Sequence, residues 1–210
     1  IANNQDFDGT TTLRFAGTGN QTLESNGDLS AGTIMDIVID KPSGALTLSG
    51  TIRTVYDWTY RRGTLRPESS TVVFGNGILT ISGSQVLGNV QFRNGGPYTH
   101  TIDAATTLTA SGTLTIVGGN GYIQTGTLEA LGNIDISGTA LTTSTARFRI
   151  SGDRSQTLTQ SATNFPLTTV IAKTGGELRL LSNAVLNTTG QDLTMTGGTL
   201  NLNGYTLAVA

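Results

Sequence analysis

Apolar and polar residues alternate along this chain in runs of four or five, and glycine closes each run. Leu46–Thr47–Leu48–Ser49–Gly50, Leu79–Thr80–Ile81–Ser82–Gly83, Leu108–Thr109–Ala110–Ser111–Gly112 and Ile134–Asp135–Ile136–Ser137–Gly138 share the pattern. In an extended backbone successive side chains point to opposite faces. Each run therefore has one apolar face for a core and one face of Thr, Ser or Asp. The runs are too short for amphipathic helices, so they predict a succession of short β-strands.

Longer segments repeat as well. Arg14, Gly17, Gln21, Thr22 and Leu23 recur in the same order and spacing as Arg149, Gly152, Gln156, Thr157 and Leu158. Lys41, Gly44, Leu46 and Leu48 recur as Lys173, Gly176, Leu178 and Leu180. A degraded third copy runs from Thr71 to Ile81. Leu87–Gly88–Asn89 returns as Leu131–Gly132–Asn133, a spacing of two turns of a coil with about 22 residues per turn. One turn cannot bury its own apolar face, whereas stacked turns share a core and pair their backbones along the axis. The pattern predicts a single all-β domain over residues 1–210, a right-handed parallel β-helix (β-solenoid) of roughly nine or ten irregular turns. A β-sandwich is the alternative, because its strands also alternate at short spacing. The right hand follows from the general bias of parallel connections.

Gly197–Leu207, Gly17–Leu23 and Ser69–Phe74 resemble the degenerate Thr/Gly-rich repeats of bacterial surface and secreted proteins, among them autotransporter passenger domains and filamentous-haemagglutinin-like adhesins. That resemblance covers most of the chain. It implies a right-handed parallel β-helix, export to the cell surface or the medium, and a role in adhesion or surface structure. It carries over no catalytic residue. The aromatic and basic stretch from Tyr56 to Arg66 departs from such repeats.

Composition narrows the field further. The 210 residues include 28 glycines and 38 threonines, only 12% are charged, and the net charge is −2. Thr and Gly disfavour helix. A balance of 12 basic and 14 acidic residues offers no electrostatic footprint for nucleic acid. No apolar run is long enough for a membrane-spanning helix. With no cysteine there is neither a disulfide framework nor thiol chemistry. One histidine and two lysines leave few of the usual bases and nucleophiles, so a non-enzymatic role is expected. The pectinase-like enzymes built on such coils cluster aspartates with a histidine and a basic residue. Here His100 has no acidic neighbour closer in sequence than Asp103, and it reads as a loop or surface residue.

Tyr56, Trp58 and Tyr60 sit at a period of two, hence on one face of a strand. Exposed, they form a stacking platform for sugar rings, flanked by the donors Arg61 and Arg62. Turned inward, they fill the coil, leaving Val55, Asp57 and Thr59 on the solvent side. Asn4, Asp6 and Asp8 match the opening half of a calcium loop, but Phe15 stands where the closing glutamate belongs, so a polar turn is the plainer reading. Thr107/Thr109, Thr113/Thr115, Thr157/Thr159 and Thr194/Thr196 are Thr-x-Thr pairs, which can order ice-like water if they align over a flat face. Their uneven spacing argues against that.

The apolar run from Tyr205 to Ala210 has no polar cap, which predicts a segment of a longer rod or a subunit stacking end to end. The sequence thus leads to a structural or adhesive β-helix, a stalk, filament subunit or adhesin segment. A carbohydrate-binding module using the aromatic stripe on environmental or host polysaccharide is the alternative. A polysaccharide-degrading enzyme and an ice-binding protein rank behind both.

Overall fold

The computed structural model describes residues 11–28, 30–138, 141, 144–186 and 193–209. Among them the chain is all strand and turn, without a helix. Every strand pairing is parallel, joining residues one coil apart, which makes the fold a β-solenoid and sets aside the antiparallel sandwich. There are about eight turns, rather than nine or ten. Coil length varies: Val72 pairs with Val90, 18 residues on, and Val90 with Leu114, 24 residues on. The corner loops absorb this variation while the strands stay in register.

Three long ladders carry most of the pairing. One runs through Thr12–Phe15, Asp36–Ile39, Trp58–Tyr60, Leu79–Ser82, Thr99–Ile102 and Tyr122–Gln124. A second links Gln85–Leu87, Thr107–Ala110, Thr127–Ala130, Arg147–Ile150 and Thr168–Ile171. The third stacks Val72, Val90, Leu114, Ile134, Leu158 and Leu180, all buried. Inward residues of consecutive coils lie one strand spacing apart, about 4.8 Å. Each therefore packs on its own counterparts above and below, and the alternating pattern of the sequence becomes a continuous core.

Aromatic side chains add a diagonal to that core. Trp58 meets Phe74 edge-on at 6.1 Å, Phe74 stacks on Phe92 at 5.3 Å, and Phe92 lies 5.5 Å from the His100 ring. At the corners, asparagines bracket one coil to the next. Asn20, Asn89, Asn133 and Asn183 accept the backbone N–H of Ala45, Thr113, Thr157 and Thr206 at 2.8–3.0 Å. The Gly–Asn repeat in the sequence is thus a corner device that satisfies a backbone donor where the ladder bends.

Candidate functional site

The outer face of the N-terminal coils carries a cationic cluster around one carboxylate. Asp40 pairs in register with Arg62 of the next coil, and Arg14 reaches it from the coil before. Arg14 Nη2 lies 2.6 Å from Asp40 Oδ2, Arg62 Nε 2.7 Å from Oδ1, and Arg61 Nη1 3.9 Å from Oδ2. The hydrogen bonds from Arg62 and then Arg14 hold the Asp40 carboxyl below the usual carboxylate range. The arginine side chains remain 55–63% exposed. Three guanidinium groups around one carboxylate leave net positive charge on this face.

The five residues singled out by the aromatic stripe divide around this cluster. Arg61 and Arg62 are exposed and Tyr60 is half-buried, its hydroxyl donating to the Gly63 carbonyl. Tyr56 lies in the bend before the strand, also half-buried. Trp58 is 0% exposed, and its indole N–H donates to Gln85 Oε1 at 2.7 Å. The three rings therefore form no common exposed platform. Trp58 falls in the same inward row as Ile37 and Ile81, and burial of the largest side chain outweighs display.

His100 is not a loop or surface residue. It sits in the strand Thr99–Ile102 at 0% exposure, between Leu79 and Ile123 in its row. Its Nε2 contacts the Gly75 carbonyl at 2.8 Å, while Nδ1 has no partner. Burial pulls its pKa down to about 4, opposed by the Gly75 hydrogen bond. A neutral imidazole walled in by Phe92 fills space and reaches no substrate. The calcium-loop residues Asn4, Asp6 and Asp8 lie outside the described residues. The Thr-x-Thr pairs form no continuous array, because register puts Asp135 between Thr115 and Thr159 and Glu129 beside Thr109.

The repeated residues, whose role could not be read from the sequence, form a lock between coils. Lys41 is 1% exposed and its Nζ donates to the carbonyls of Gly17 and Gly19 and to Gln21 Oε1, each at 2.8 Å. Lys173, 3% exposed, donates to the Arg154 carbonyl at 2.7 Å and to Gln156 Oε1. Burial lowers the Lys173 pKa, with Asp153 opposing. Both known pairs, Gln21/Gln156 and Lys41/Lys173, were visible as repeat matches. Nothing in one dimension showed that they touch.

At the C-terminal end Leu193, Leu200 and Leu207 continue the core but are only partly buried. Met195, Leu202, Tyr205 and Val209 are 40–47% exposed around them. The cavity these three leucines line together with Ile136, Phe148, Leu158 and Leu180 holds only about 10 Å³, the space of a single water at most.

Fold and surface together define a parallel β-solenoid with a filled interior, polar locks between coils and an arginine cluster on its outer face. Comparison with known proteins finds no matching family, no similar characterised protein and no similar solved structure.

Proposed function

We propose that this chain is a non-enzymatic structural rod element of a bacterial surface or secreted protein, its coils continued by a further coil of a longer rod or of a second copy. The observation that carries the reading is the C-terminal coil. Leu193, Leu200 and Leu207 are partly buried against the core, and Met195, Leu202, Tyr205 and Val209 of the same region stand exposed. Elsewhere in the stack the same inward positions are covered from both sides. A coil of the same kind laid on this surface extends the ladder and removes apolar area from water, at roughly 25 cal/mol per Å². The extended, repetitive core supports a mechanical role as stalk, filament subunit or adhesin segment.

Negative-stain electron microscopy and sedimentation over a concentration series test this. Rods that lengthen with concentration are expected. Particles of one short length at every concentration would overturn end-to-end stacking. A carbohydrate-binding module is the second reading, favoured by the exposed Arg61 and Arg62 beside Tyr60, without the indole of Trp58.

A further inference from the structure

On the second ladder a groove of about 320 Å³ runs along the solenoid. It is lined by Thr107, Thr127, Arg147, Arg149, Val170 and Thr196, which come from five successive coils. At about 4.8 Å per strand that is roughly 19 Å of length. Thr107, Thr127 and Arg147 are direct neighbours in register, all pointing outward. Among the described residues neither threonine hydroxyl has a hydrogen-bond partner, and the Arg147 guanidinium has no ion pair.

Charge in the groove is asymmetric. Glu129, in register with Thr109 and Arg149, is engaged on both oxygens: it accepts from Ser151 at 2.7 Å and Thr109 at 3.0 Å, with Arg149 Nε at 3.5 Å. Arg149 is thereby held in place, and Arg147 is left as the unneutralised cation. Val170 supplies an apolar floor, only 5% exposed.

We infer that this groove binds a linear polysaccharide bearing carboxylates, laid parallel to the solenoid axis, with Arg147 taking a carboxylate and Thr107 and Thr127 taking ring hydroxyls. A planar guanidinium with free donors matches a carboxylate in a forked geometry. The spacing selects the polymer. Donors repeat at the strand interval, close to the length of one pyranose residue, whereas an extended peptide advances only about 3.4 Å per residue and falls out of step. This inference is independent of end-to-end stacking, because the groove lies on the side of the rod.

The test is binding of polygalacturonate to the full chain, followed by calorimetry, with methyl-esterified polygalacturonate, dextran sulfate and polyglutamate as comparisons. Arg147→Gln is expected to weaken polygalacturonate binding about 10-fold, the worth of one charge-assisted hydrogen bond. Its melting temperature should not move, since among the described residues the Arg147 side chain makes no hydrogen bond or ion pair and the substitution keeps its backbone in the ladder. The esterified polymer should bind weakly, and Thr127→Val should reduce affinity in the same direction. Absence of polygalacturonate binding overturns the proposal, as does equal binding by R147Q. Tighter binding of dextran sulfate overturns the assignment to carboxylate, and equal binding of polyglutamate overturns the assignment to sugar.

Discussion

The ammonium of Lys41 donates to the side-chain carbonyl of Gln21 at 2.8 Å, joining two successive coils through a lysine that is 1% exposed. Lys173 and Gln156 make the same contact far along the chain. Gln156 extends it one coil further, its Nε2 donating to the carbonyls of Ala130 and Gly132 at 3.1 and 2.8 Å. A buried lysine is costly unless every donor is used, and here backbone carbonyls and a glutamine supply the acceptors. The lock thus specifies which coil sits on which.

Replacing Lys41 by Met strands three oxygens in the coil corner and is expected to destabilise the chain by about 3 kcal/mol. Lys173→Met should cost a similar amount, and the two should add, since their sites are far apart. Urea melts followed by circular dichroism measure this. If K41M melts at the unaltered midpoint, the corner is not a lock.

A glycine of the next coil packs against each of these lysines. Gly63 has φ +119° and a Cβ there would lie 2.8 Å from Lys41 Cβ; Gly198 has φ +88° and its Cβ would lie 2.5 Å from Lys173 Cβ. Alanine at either position meets both a left-handed backbone and a packed side chain. A loss of about 2 kcal/mol is expected for each, and thermal melting of G63A should fall well below that of Gly204→Ala. A Cβ on Gly204, at φ +81°, meets nothing within 4 Å.

Stability should depend on pH through His100. Its folded pKa is about 4, against an ordinary value of 6.5, so the unfolded chain takes up a proton first as pH falls. Stability from this residue is complete above pH 6.5, declines between pH 6.5 and 4, and levels off below, a total of about 3 kcal/mol. Denaturation midpoints across that window check the slope. His100→Phe should flatten it, and an unchanged slope in that variant would refute the assignment.

Trp58 reports on the core. Its fluorescence should be blue-shifted, resistant to acrylamide and unmoved by polysaccharide, because the indole is fully enclosed and bonded to Gln85. Trp58→Ala should cost about 3–5 kcal/mol as a cavity opens against Phe74. A red-shifted, readily quenched emission would place the ring on the surface instead.

Much of the architecture was legible in the sequence. The alternation in Leu79–Ser82 and Ile134–Gly138 marked strands, and the match between Leu87–Gly88–Asn89 and Leu131–Gly132–Asn133 marked a coil of about 22 residues per turn. His100 shows where local reading failed. It was placed at the surface because it is a lone histidine without an acidic neighbour, whereas Thr99, His100, Thr101 and Ile102 alternate as a strand with His100 and Ile102 inward. The site residues were less legible. Arg61 and Arg62 stood out as a pair, but Arg14 and Asp40, 26 residues apart, meet only because adjacent coils lie side by side. The groove at Arg147 gave no local signal at all, since its lining is spread over five coils.

By itself the sequence determined that the chain coils: apolar residues at every second position need a shared core, and recurring strand segments let successive turns supply one another's. Register was decided only in three dimensions. A one-residue slip turns every side chain of a strand to the opposite face, so whether Trp58 faced the core or the solvent depended on its alignment with Ile37 and Ile81, contacts made across 21 and 23 residues of chain. The locks at Lys41 and Lys173 likewise exist only once the coils have stacked, because their acceptors belong to a neighbouring turn.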